Sequence, residues 1–114
     1  MQHFIKKSLL LSCSLFLFGC ATSNQAIERK NYHSWENDIG YSQVVKTHNT
    51  LYISGITSEE TTFENQIDDI YNTIKKILAD YDVGTNAIVK EVIFTTDIEK
   101  LKAAIPTRKA HFND

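Results

Sequence analysis

The sequence predicts an α+β domain with elements in the order β-β-α-β-α. Three observations carry that prediction. Two β-rich runs, "YSQVVKTH" and "LYISGIT", flank a short polar turn. A long apolar stripe at helical spacing follows them, and a further β-rich run then precedes a second, shorter helical pattern.

The turn of the hairpin falls on Asn49-Thr50, where Asn tolerates a positive φ. The following stripe, Ile67, Ile70, Tyr71, Ile74, Ile77, Leu78 and Tyr81, makes one apolar helix face. Thr61, with Glu64 three residues later, reads as a capping box at its start, and Gly84 as a stop after its end. Burying the aliphatic members of that stripe is worth up to about 8–15 kcal/mol, so the helix needs a packing partner. The hairpin face is the expected one.

"AIVKEVIFTTDI", residues 87–98, reads as the third strand. Val92 and Phe94 fall on one face and Val89 and Ile93 on the other. Apolar groups on both faces require cover on both. One helix layer covers one face, which leaves a subunit interface for the other. Asp97 is placed to cap the second helix, through Leu101, Ala104 and Ile105, and Pro106 to kink or restart it.

The chain of 114 residues has room for one small domain, and its first nineteen residues read as a signal segment. Lys6 and Lys7 precede an apolar run, Ser8 to Phe18, too short to span a bilayer. The run ends in Leu17-Phe18-Gly19-Cys20, which resembles the lipobox of a bacterial lipoprotein signal. That resemblance implies acylation of Cys20, export, and a lipid anchor at the periplasmic face. With Ala21 after the cysteine it favours the outer membrane. The other cysteine, Cys13, lies within the signal, so the exported part has no free thiol and needs no disulfide. Residues 20–39 read as the anchor cysteine and a polar tether, with Tyr32 and Trp35 as candidates to dock onto a domain over 40–114.

Charge narrows the partners. Losing Lys6 and Lys7 takes the formal net charge from −2 to −4, and only short Lys/Arg pairs remain. A phosphate-backbone footprint is absent, which argues against nucleic acid.

"GYSQVVKTHNTLYISGITS", "IDDIYNTIKKILADY" and "IVKEVIFTTDIEKLKAAIPTRKAHF", in that order and spacing, resemble the Rid family. These are the reactive intermediate deaminases, RidA-like proteins also described as endoribonuclease L-PSP. The resemblance runs from about Gly40 to Phe112. It implies a chorismate-mutase-like fold, a mixed β-sheet with two helices on one face, closed into a homotrimer with ligand pockets between subunits. By match, Tyr41, Ser54 and Gly55 line such a pocket, the glycine letting backbone approach a small ligand. This also accounts for a serine and glycine interrupting the strand "TLYISGI", where glycine otherwise weakens a strand.

Members of the family's best-known branch hydrolyse enamines and imines such as 2-aminoacrylate to 2-keto acids and ammonia, and the resemblance implies that activity without a cofactor. An arginine usually anchors the substrate carboxylate. That arginine and a pocket glutamate belong to the family's last strands, which would lie beyond Asp114, and Ile56 stands where many members carry Gln. The resemblance then implies a deaminase with impaired hydrolysis, a non-catalytic metabolite-binding trimer, or an inactive truncated product.

Other candidates have plainer readings. Ser54 lacks a Gly-x-Ser-x-Gly elbow and a neighbouring base, which argues against a nucleophile. His33, His48 and His111 show no metal-ligand spacing and read as surface residues. Asp68-Asp69 reads as a solvated helix face, and Arg108, on the second helix, does not match the family's anchor.

Overall fold

The computed structural model describes residues 26–112. The signal segment, Cys20 and the start of the tether lie outside the described residues.

The hairpin forms as the alternating pattern requires. Strand β2 (Val44–Thr47) pairs antiparallel with β3 (Thr50–Ile53), with Thr47 opposite Thr50. The two connecting residues are therefore His48 and Asn49, one position earlier than the sequence suggests. His48 takes the positive φ of 53°, a conformation for which histidine is enriched among side-chain-bearing residues. A third strand, β1 (Glu28–Lys30), lies in the expected tether and pairs antiparallel with β2, Glu28 opposite Lys46. Among the described residues the sheet is thus wholly antiparallel, in the order β1-β2-β3, and not mixed.

A four-residue helix, α1 (Trp35–Asp38), bridges β1 and β2. The long helix α2 (Phe63–Ala79) is capped by Thr62, whose hydroxyl accepts the Asn65 N–H at 3.2 Å. The expected cap at Thr61 is one residue off. Glu64 in the first turn and Lys76 in the last suit the helix dipole. The chain leaves α2 through Asp82, which takes φ 56°, while the Val83 N–H donates back to the Leu78 carbonyl at 3.2 Å. Gly84 is not the left-handed residue of this turn.

The segment expected to form the third strand does not pair among the described residues. After a 3-10 turn (Thr85–Ala87) it runs without regular structure into α3 (Ile98–Ala103). Asp97 caps α3 as expected, accepting the Lys100 N–H at 3.0 Å. Pro106 sits in the first turn of α4 (Ile105–Ala110), where its missing N–H costs nothing. The order is therefore β-α-β-β-α-α-α, still α+β.

The first half of the α2 stripe packs on α4 and its flanks, not on the hairpin. Ile67, Tyr71 and Ala104 form the buried centre, with Phe63, Ile74, Leu101 and Phe112 packed around it. The sheet joins the far end of α2 through polar and aromatic groups instead. Lys30 pairs with Asp80 at 2.7 Å, and Lys30 and Lys46 lie over the Tyr81 ring.

Candidate functional site

Tyr41, Ser54 and Gly55 come together at the open end of the hairpin, beyond the last paired residues, Val44 and Ile53. The ladder continues for one more bond, from the Ser54 N–H to the Gln43 carbonyl at 2.9 Å. The Tyr41 hydroxyl donates to the Gly55 carbonyl at 3.2 Å. The Ser54 hydroxyl donates to the Ser42 carbonyl at 2.7 Å, which leaves its lone pairs as acceptors. Gln43 ties the group together, its Nε2 donating to the Ser54 carbonyl at 3.0 Å.

Gly55 itself is unconfined. A Cβ built there meets nothing within 4 Å, and its φ lies outside the left-handed region. Neither turn geometry nor crowding within the chain requires glycine at this position.

The group rests on Glu36, which the sequence reading did not single out. Its side chain is fully buried. Oε1 accepts the N–H groups of Tyr32 (3.0 Å) and His33 (2.9 Å), and Oε2 accepts that of Gln43 (3.0 Å). The Glu36 carbonyl accepts the Tyr41 N–H at 2.8 Å. Burial pushes its carboxyl pKa up, but the three backbone donors outweigh this and hold it below the usual glutamate value. One acid thus fixes both ends of the 32–43 loop. A single acid in a polar stretch gives no sequence signal of such a role.

Aromatic rings flank the same loop. Trp35 stacks on Tyr41 with centroids 5.6 Å apart and on His33 at 6.0 Å. Tyr32 docks on the helix end as expected, its hydroxyl donating to Asp80 at 2.6 Å. Burial, and then that carboxylate, push its pKa up to about 12.

The remaining candidates lie elsewhere. Arg108 pairs with Glu91, which also accepts the Tyr71 hydroxyl, and its guanidinium stands 4.8 Å from the Phe112 ring centroid. The Glu91 hydrogen bond raises its pKa further. His111 is not a surface residue. It is buried, stacked on Tyr71 at 5.1 Å, with Nε2 2.8 Å from Asp68. The expected solvated face at Asp68 therefore carries this partner. Among the described residues no group of three or more His, Cys, Asp or Glu is placed to hold a metal, and no helix is long and apolar enough to cross a membrane.

A family model described as Endoribonuclease L-PSP matches residues 33–114. No curated protein and no solved structure matches the chain. The matched region takes in Trp35, Glu36, Tyr41, Ser54 and Gly55.

Proposed function

Because the chain belongs to the endoribonuclease L-PSP family, we propose that Tyr41, Ser54 and Gly55 form one wall of a small-molecule pocket that neighbouring copies complete in a homotrimer. The ligand is a reactive enamine or imine bearing a carboxylate, or its 2-keto acid product. The observation that carries this reading is the meeting of the three residues at the open end of the hairpin, around an unobstructed glycine. The Ser54 hydroxyl lone pairs and the second N–H of the Gln43 amide offer a few convergent polar groups beside aromatic rings, the usual make-up of a small-ligand site.

Exposed apolar side chains support the assembly. Val89 is 95% exposed, Phe94 93% and Val92 64%, more than a segment rich in such residues leaves open without a partner. RNA is the less favoured ligand despite the family's description. A formal net charge of −2, without a basic stripe, gives little attraction to a phosphate backbone.

Hydrolysis is impaired in this proposal. Among the described residues, none of the hydrogen bonds tying Tyr41, Gln43 and Ser54 involves a cationic side chain. Arg108 is engaged by Glu91. A guanidinium would hold the carboxylate with bidentate, charge-assisted bonds roughly twice as strong as neutral ones, and would orient the reacting carbon. The proposal also places the domain outside the cytoplasm, attached through lipid on Cys20. The signal pattern of residues 6–20 supports that placement.

The test is 2-iminobutanoate generated by threonine dehydratase and followed by semicarbazide trapping, alongside calorimetric titration with 2-oxobutanoate. The expected result is saturable binding with no acceleration of imine loss. Acceleration would refute the impaired reading, and would make Arg108→Ala the next variant. Absence of binding would refute the pocket.

A further inference from the structure

Beside the polar cluster stands a feature with no part in the hydrogen bonding described above. Trp35, the one tryptophan of the chain, is 49% exposed. Its ring lies 25° from parallel with Tyr41, 5.6 Å between centroids, and 9° from parallel with His33. A tryptophan held half in water gives up much of the benefit of burying it, so packing alone explains its position poorly. It is nonetheless firmly held. The neighbouring Glu36 is fully buried and accepts backbone N–H groups on both sides of the loop, from Tyr32, His33 and Gln43. The Tyr41 ring it stacks on reaches Gly55 through its hydroxyl, which leads from the exposed indole directly to the site.

We propose that Trp35 and Tyr41 form an aromatic wall that selects ligands whose side chain is planar and apolar. The inference rests on the pocket reading above and deepens it. The second N–H of the Gln43 amide, beyond the one given to the Ser54 carbonyl, donates to the carboxylate, and the Ser54 hydroxyl lone pairs accept from the N–H of an imine. The indole serves the substituent. An aromatic group in contact with it displaces water from the exposed part of the ring and gains an aromatic pair. A short alkyl group such as that of 2-oxobutanoate reaches less of this surface. The wall therefore favours arylalkyl 2-keto acids and the corresponding imines over the smallest members of the class.

A single tryptophan makes the test direct, since the full-length 15N-labelled chain in detergent gives one indole N–H resonance. The probes are 2-oxobutanoate and 2-oxo-4-phenylbutanoate, which share a head group. The phenyl compound should shift the indole resonance together with the Ser54 and Gly55 amides, and should bind more tightly. Trp35→Ala should cut the ratio of the two affinities by roughly three- to tenfold, the size of one aromatic pair. Trp35→Phe should restore most of it. If the alanine variant does not fold, Trp35→Leu keeps an apolar side chain without a ring and should lower the ratio similarly. A variant that weakens both ligands equally, leaving the ratio unchanged, would make Trp35 a packing residue and overturn the wall while leaving the pocket intact. If neither ligand moves the Ser54 and Gly55 amides, both the wall and the pocket are overturned.

Discussion

Replacing Tyr71 by Phe removes one hydroxyl and keeps every ring contact: the stack on His111, the edge contact with Phe112 and the face offered to Arg108. The hydroxyl donates to the Glu91 carboxylate, and hydrogen bonds to charged groups contribute about 1.5–3 kcal/mol. Glu91 is 22% exposed, so solvent screens part of this, and the lower end, about 1.5 kcal/mol, is expected. For a domain of this size that is a fall in melting temperature of roughly 6–12 °C. Tyr81→Phe provides the control. The Tyr81 hydroxyl is buried and has no hydrogen-bond partner among the described residues. Deleting an unsatisfied buried group relieves roughly 1 kcal/mol, so this variant should melt about 4–8 °C higher. Thermal unfolding followed by circular dichroism, with urea titration as a second measure, reads both. Equal falls for the two variants, or no fall for Tyr71→Phe, would refute the packing of α2 described here.

Three further outcomes follow from the caps, the buried acid and the signal. Thr62→Ala should lower stability by about 1 kcal/mol in urea unfolding, and Thr61→Ala hardly at all, because the Thr62 hydroxyl meets the Asn65 N–H. Glu36 has its folded-state pKa below the ordinary value of 4.5, so its contribution is complete above that value and is lost as pH falls through the depressed one. Acid unfolding curves of wild type and Glu36→Gln should therefore differ most at neutral pH and converge in acid; a constant gap would contradict the assignment. Metabolic labelling with palmitate should mark the wild-type chain and miss Cys20→Ala, and equal labelling would remove the lipid anchor.

The long helix was legible because its burial is periodic and strong: Ile67, Tyr71, Ile77 and Leu78 fall where a 3.6-residue period puts them. Its cap was off by one because Thr61 and Thr62 offer the same chemistry, and only geometry chooses between them. β1 was illegible for a different reason. Glu28, Arg29 and Lys30 carry no strand preference, and the pairing comes from β2. The apolar alternation of residues 89–94 describes a surface needing cover on both faces, and no helix or strand among the described residues supplies it. The site divides similarly. Tyr41 lies more than ten residues before the Ser54-Gly55 pair, and only the resemblance joined them before the hairpin did. Glu36 acts entirely through backbone N–H groups, which leave no trace in side-chain spacing.

Gly55 offers the most direct test of the pocket. Its side-chain position opens onto empty space and its backbone needs no glycine, so Gly55→Val should leave the fold intact, with the melting temperature moving by less than about 4 °C. If ligand approaches Ser54 across that opening, the valine occupies its path. Calorimetric titration of 2-oxobutanoate into wild type and Gly55→Val should then show saturable binding in the first and at least tenfold weaker binding in the second. Equal affinity in two equally stable proteins would contradict a pocket at Tyr41, Ser54 and Gly55.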